Sequence, residues 1–206
     1  MDNKIKKPDK DTEKRILESA RKIFHKKGLA GARMQEIADD AGINKAMLHY
    51  YYRSKEKLFS AVFNEAAERI FPLVSKILAS DLPLFEKIEI LIGNYIEILK
   101  QNMYIPIFVL HEIQQDPSRL VNIIVKEQPN AMQKLYSDIE KAKAEGLIID
   151  IDTRSVIVNI LSLCIFPVAA KPVVSGIFNM REDEYMDYLE SRKKSVAEFV
   201  IKAIKK

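Results

Sequence analysis

The apolar residues of this chain recur every three or four positions along nearly its whole length. Ile16, Leu17, Ala20, Ile23 and Phe24 follow that spacing, and so do Phe85, Ile88, Leu91, Ile92, Tyr95, Ile96 and Leu99. A period near 3.6 lines one face of a helix, whereas a half-buried strand needs a period of 2. The many isoleucines, strand formers by preference, therefore read here as helix stripes. Only six glycines and eight prolines punctuate 206 residues, too few for a sandwich or barrel that turns every ~8–12 positions. The expected fold class is all-α. With 48% apolar and 30% charged residues, the balance is that of a globular chain rather than a disordered one. Cys164 is the single cysteine, which excludes a disulfide framework and any multi-cysteine metal site. The start, MDNKIKKPDKD, has no apolar segment and does not read as a signal peptide. The apolar stretch from Val156 to Ala170 is broken by Asn159 and Ser162 and falls short of a bilayer span. A cytoplasmic chain with no membrane partner is expected.

Read as successive helices, the chain is punctuated at a few places. The first helix spans Asp11 to Lys27, with Asp11 or Thr12 as cap and Gly28 as a left-handed stop. A short second helix fits Met34 to Ala41. Gly42 then breaks it, Ile43 plugs the corner, and Asn44 caps a third helix to about Tyr51. Ser54 caps a fourth, whose buried stripe is Phe59, Val62, Phe63, Ala66 and Ile70, and which Pro72 is expected to kink or end. Further helices follow Pro83, span Met103 to Gln115, and run from Pro117 to Gly146 with a break near Pro129. Asp152 opens a segment that is apolar on every side from Val156 to Phe166, with Pro167 and Pro172 expected to interrupt it. Glu182 to Lys206 forms the last helix.

The net charge of +4 is unevenly distributed. Residues 1–57 carry 15 Lys/Arg against 9 Asp/Glu, and residues 58–206 carry 18 against 20. All the positive excess lies in the first quarter, as when one end meets a polyanion, although a solvated basic face has the same composition. Within that quarter, residues 34–52, MQEIADDAGINKAMLHYYY, have the anatomy of a helix-turn-helix. Ile37, Ala38, Ile43 and Leu48 hold two short helices at a fixed angle. Lys45, Ala46, Met47, His49 and Tyr50 then face outward to a groove. Short helical hairpins in enzymes can take the same form.

With its flanks, the segment from Thr12 to Phe63 resembles the TetR family of bacterial transcriptional repressors. The resemblance rests on Ile16-Leu17, Ala20, Phe24, Gly28, Ile37-Ala38, Ala41-Gly42-Ile43, Tyr50 to Tyr52, and Ser54-Lys55-Glu56 with Leu58. It implies a homodimer whose third helices enter successive major grooves of a palindromic operator in double-stranded DNA. The DNA-contacting residues would be Arg33, Gln35, Lys45, Ala46, Met47, His49, Tyr50, Tyr51 and Lys55. Lys55, at the start of the fourth helix, matches a lysine that holds a phosphate, where a cation and free backbone N–H groups both suit an anion. The chain departs from the family in having Arg33 where a threonine is usual and His49 where a tyrosine is usual. Tyr52 replaces a phenylalanine. The domains expected are residues 1–57, a DNA-binding head preceded by a basic arm over 1–10, and residues 58–206, an effector-binding and dimerisation domain.

The resemblance further implies an effector pocket between Pro83 and Phe178, a region that holds Phe85, Tyr95, Tyr104, Phe108, His111, Tyr136 and Phe166. Each of these also fits plain core packing; Tyr95 and His111 are the candidate polar anchors. The dimer face is expected from the two C-terminal helices, through Ile160, Leu163, Tyr185, Leu189, Val196, Phe199 and Ala203, with Arg192 a polar interruption. No catalytic set stands out. His111-Glu112 begins like a zinc-protease motif, but Gln115 occupies the place of the second histidine. No cofactor, no metal and no enzyme activity are expected. Two other readings remain: an all-α enzyme with a basic hairpin, and a DNA-binding architectural or division-regulating protein that answers to no ligand.

Overall fold

The computed structural model describes residues 9–115, 117–118, 121 and 129–206, without the side chains of residues 69, 70, 111, 112, 115 and 129. Ten helices form among them: α1 (Lys10–Gly31), α2 (Met34–Asp40), α3 (Lys45–Tyr51), α4 (Lys55–Leu78), α5 (Leu84–Gln101), α6 (Ile105–Gln115), α7 (Pro129–Ala144), α8 (Thr153–Ala169), α9 (Lys171–Ile177) and α10 (Glu182–Ile204). No strand occurs among the described residues, only an isolated bridge between Ile148 and Lys205. The fold is all-α. No single helix among these residues is long and apolar enough to cross a membrane. Most of the segment expected between Pro117 and Pro129 lies outside the described residues, as does the side chain of Ile70.

The chain divides into two compact units, Met1–Ala67 and Glu68–Lys206. In the first, Ile16, Ala20, Phe24, Ile37, Ala38 and Leu48 are fully or almost fully buried. The Phe24 ring meets that of Phe59 edge-on at 4.7 Å between centroids, and Arg21 pairs with Glu65 at 2.6 Å. The start of α4 therefore belongs to this core, and the boundary falls after Ala67 rather than after Lys57. Asp9, not Asp11 or Thr12, caps α1: its carboxylate accepts from the Asp11 N–H and from the Thr12 hydroxyl. At Gly28 the backbone takes φ +65°, which kinks the helix before it resumes for a last turn to Gly31.

Neither interior proline ends its helix. Pro72 lies inside α4, which neither ends nor breaks there. Pro72 and Glu68 are both exposed, so the Glu68 carbonyl, left without a donor because proline has no N–H, lies on the solvent side. Pro167 is buried inside α8, where the same loss would orphan the Leu163 carbonyl. The Arg192 guanidinium supplies the missing donor at 2.6 Å, and the Tyr185 hydroxyl donates to the Pro167 carbonyl at 2.9 Å. The polar interruption in the last helix is thus the complement of the proline in α8. Pro172 stands in the first turn of a new helix, α9, a position that needs no N–H.

The core of the second unit gathers Ile88, Ile92 and Ile96 of α5, Ile139 of α7, Val156 and Ile160 of α8, and Tyr185, Leu189, Val196 and Val200 of α10. α10 lies chiefly along α5. Lys87 is fully buried at the foot of α5. Its ammonium donates to the Leu78 carbonyl at 3.0 Å, to the Ser80 carbonyl at 2.6 Å and to Asp138 of α7 at 2.5 Å. Three N–H bonds meet three acceptors, so the charge is fully satisfied. Burial would raise the Asp138 carboxyl, but hydrogen bonds from Lys134 and Lys87 hold it below the usual carboxylate range.

Candidate nucleic-acid interface and ligand cavity

The N-terminal unit builds its site on two helices of seven residues each. The Ala41 N–H closes α2 on the Ile37 carbonyl, and Gly42 turns the chain at φ +66°. A Cβ at Gly42 would find its nearest neighbour at 3.8 Å, so the backbone angle, not space, calls for glycine there. The Ile43 N–H then bonds back to the Ala38 carbonyl at 3.0 Å. Asn44 caps α3 through its side-chain oxygen, which accepts from the Met47 N–H at 2.7 Å. Leu48 is the one buried residue of α3. With that anchor inward, Lys45, Ala46, Met47, His49 and Tyr50 are all exposed.

The other candidate contacts differ in how firmly they are held. Arg33 sits at the N-cap of α2 without a side-chain capping bond, and its side chain is exposed. Gln35 is exposed and donates to Asp39 at 2.7 Å. The Lys55 ammonium donates to the Ala32 carbonyl at 3.2 Å and lies 3.5 Å from that of Ala30, which steadies it beside the α1–α2 junction. His49 Nδ1 lies 3.3 Å from the Arg53 carbonyl; a carbonyl only accepts, so that bond needs the proton on Nδ1. Tyr51 is half-buried, and its hydroxyl accepts from the Asp9 N–H at 2.8 Å. Its ring therefore ties α3 to the start of α1, unlike the exposed Tyr50. The Tyr52 hydroxyl donates to Glu13 at 3.1 Å, a packing role, and burial pushes its ionisation well up. Lys22–Asp40 at 2.6 Å and Lys27–Glu36 at 2.5 Å clamp α1 to α2; the bond from Lys22 lowers the Asp40 carboxyl.

The C-terminal unit holds a cavity of about 290 Å³. Phe71, Val74, Ser75 and Leu78 of α4 form one wall, and Leu91 and Tyr95 of α5 another. Ala131, Met132 and Leu135 of α7 face Ile157, Ile160 and Leu161 of α8. Of the seven residues expected to line a pocket, the cavity takes Tyr95. Tyr104 and Phe108 are buried elsewhere, and Phe85 packs on the core with the Lys205 ammonium 5.8 Å from its ring. Tyr136 is exposed, and Phe166 is 62% exposed. The side chain of His111 lies outside the described residues. Sequence reasoning missed Ser75 and Met132, because a small serine and a methionine inside long helices carry no sign of a cavity. Lys87 left a faint trace, as a cation beside the Ile88–Leu91 stripe.

The residues expected at a dimer face are similarly divided. Ile160, Tyr185, Leu189 and Val196 are buried in their own unit's core, which removes them from any outer surface. Leu163 is half-buried, Ala203 is exposed, and Phe199 is 64% exposed. Leu163, Phe199 and Ala203 line a groove between α8 and α10, together with Asn159 and Ser162. Cys164 is buried, and burial pushes its thiol up to about 12. No group of three or more His, Cys, Asp or Glu gathers in metal-binding geometry among the described residues.

Comparison with known proteins agrees with this geometry. Residues 16–62 match the bacterial regulatory proteins of the tetR family. The repressor NicS of Pseudomonas putida is 39% identical over 66 residues, which are 29% of this chain and 31% of NicS. The chain thus spans less than a third of that relative's length. YttP of Bacillus subtilis, a probable transcriptional regulator, is 24% identical over 88% of this chain and 90% of its own. Two solved structures share the fold. KstR2, the ketosteroid transcriptional regulator of Mycobacterium tuberculosis, superposes with a TM-score of 0.66 at 18% identity, covering 98% of this chain and 97% of its own. FadR of Bacillus subtilis, solved with stearoyl-CoA, gives 0.62 at 16% identity, covering 93% and 99%. Residues 16–62 thus carry the DNA-binding segment of the TetR family of bacterial transcriptional regulators, and the chain as a whole shares the fold of these solved regulators.

Proposed function

We propose that this regulator binds a palindromic operator in double-stranded DNA as a homodimer in the cytoplasm, represses from it, and is released by a small apolar effector. The observation that carries the reading is α3: a capped helix with one buried anchor and a row of exposed basic, small and aromatic side chains. Such a face suits a major groove, where side chains meet base edges. Arg33 and Lys55 supply cations for phosphate, which positions the protein without reading sequence. The structures of KstR2 and FadR, named for a ketosteroid response and bound to stearoyl-CoA, support a ligand-responsive second unit. A ligand that binds better to the DNA-incompetent state would shift the population away from the operator.

The dimer reading rests on apolar side chains that the unit leaves uncovered: Val158, Leu161 and Phe166 of α8, and Phe199 of α10. Two helices from each copy make a self-complementary four-helix contact about a two-fold axis. Half-sites are then expected one DNA turn apart, roughly 34–36 Å, or a multiple. Selection of bound sequences from a random DNA pool tests the reading. A palindromic consensus is expected, and uniform retention of all sequences would point to an architectural protein instead. Lys55→Ala should weaken binding to every sequence about equally and reduce the salt slope by about 1, as one phosphate contact is lost. A change in the preferred operator would make Lys55 a base reader.

A further inference from the structure

We propose that the cavity of the C-terminal unit takes an uncharged, mostly hydrocarbon molecule held by a single alcohol or carbonyl oxygen, and excludes the corresponding carboxylate. The proposal rests on the effector-binding reading above and narrows it to a chemical class. Among the described residues, Ser75 and Tyr95 are the only lining residues with a polar side-chain atom. Neither hydroxyl engages a protein partner there. A hydroxyl both donates and accepts, so this pair can serve an alcohol, a ketone or an ester oxygen equally. Burial pushes the Tyr95 phenol well up, which keeps it protonated and a donor at neutral pH.

Among the described residues, no lysine, arginine or histidine belongs to the lining. The nearest fully buried cation by sequence among the described residues is Lys87, one turn from the lining residue Leu91, and it is not available. Its three N–H bonds go to Leu78, Ser80 and Asp138. An ionised carboxylate in the cavity would lose its hydration and gain no counter-charge from the described lining, which disfavours it strongly. Size narrows the class further. A volume of about 290 Å³ corresponds to roughly ten non-hydrogen atoms if each is allotted about the ~30 Å³ of a liquid water, the small end of ligand sites. Met132 and Leu161 are the lining members that reach the surface, and the thioether of Met132 can adapt as a guest enters.

The test uses the full chain and two probes of matched length, 1-octanol and octanoate, at pH 7.5, by displacement of a neutral environment-sensitive dye and by calorimetry. Octanol is expected to bind, and octanoate at least about 30-fold more weakly, because its charge goes unpaired. Tyr95→Phe should weaken octanol about 3- to 10-fold through one lost hydrogen bond, and Met132→Trp, at an exposed lining position away from the proposed dimer face, should block it. Circular dichroism checks that both variants fold. Octanoate binding as well as octanol would overturn the proposal while leaving an effector site in place. Octanol binding untouched by both variants would move the ligand out of this cavity and overturn it too. Neither probe binding would count against the proposal and the effector reading together. Octanol that binds as expected but leaves operator binding unchanged would uphold the chemical class and reject the effector role.

Discussion

In the N-terminal unit, α3 buries Leu48 alone and turns its other side chains outward or onto α1. In the C-terminal unit, the cavity is assembled from α4, α5, α7 and α8, each contributing a few residues from its inner side. A site on one short helix needs only a cap, a turn and an anchor to fix what is exposed. A site among four long helices depends on where each is placed by all the others. The first should therefore tolerate substitution with little loss of fold, and the second should be coupled to it.

The sharpest test of that contrast is Lys87. Lys87→Met removes the donor to two carbonyls and leaves Asp138 against a buried apolar neighbour. The expected loss is about 3–5 kcal/mol, as for breaking a buried ion pair from one side. Hydrogen exchange should show α5 and α7 opening more readily while α2 and α3 are unchanged; equal loosening of both units would break the contrast. Next is Phe199→Glu, which puts a charge on the exposed apolar position of α10. If the dimer forms there, the variant should sediment as a monomer, a loss on the order of 2–4 kcal/mol of association, with the fold intact by circular dichroism. Deleting residues 181–206 would not serve, because Tyr185, Leu189 and Val196 would leave the core with them.

The same contrast explains what could be read from the chain beforehand. Gly42, Asn44 and Ser54 act through the next few residues of backbone, and the Lys57 N–H does bond to the Ser54 hydroxyl. Local chemistry of that kind survives in any fold that uses it. The aromatic residues of the second unit had no such local sign. Phe166 and Phe108 look alike in the sequence, yet one ends on the surface and the other in the core. Pro167 misleads for a similar reason: its effect is undone by Arg192, 25 positions further on. Periodicity reports that a face is apolar, not which neighbour it meets.

Smaller effects refine the picture. Asn44→Ala should cost about 1 kcal/mol by leaving the Met47 N–H without its cap, a change read by urea denaturation of the N-terminal unit. The smallest is a pH effect at the seam of α5 and α10. Lys100 and Lys193 donate to Glu190, each at 2.8 Å, and hold its carboxyl down at about 2. A carboxyl lowered from 4.5 on folding stabilises above that pH, and the contribution fades as pH falls from about 4.5 towards about 2. The melting temperature should thus fall more steeply between pH 5 and pH 3 in the wild type than in Glu190→Gln.

The single anchor of α3 has a bearing on how such a protein changes its target. Because Leu48 fixes the helix and Asn44 starts it, Lys45, Ala46, Met47, His49 and Tyr50 are almost independent of the fold that carries them. Exposed substitutions of this kind usually alter stability by no more than ~0.5 kcal/mol. New DNA preferences can therefore be sampled one residue at a time on an unchanged frame, by duplication and drift or in a randomised library. The cavity of the C-terminal unit, whose walls are also the core, offers no such freedom.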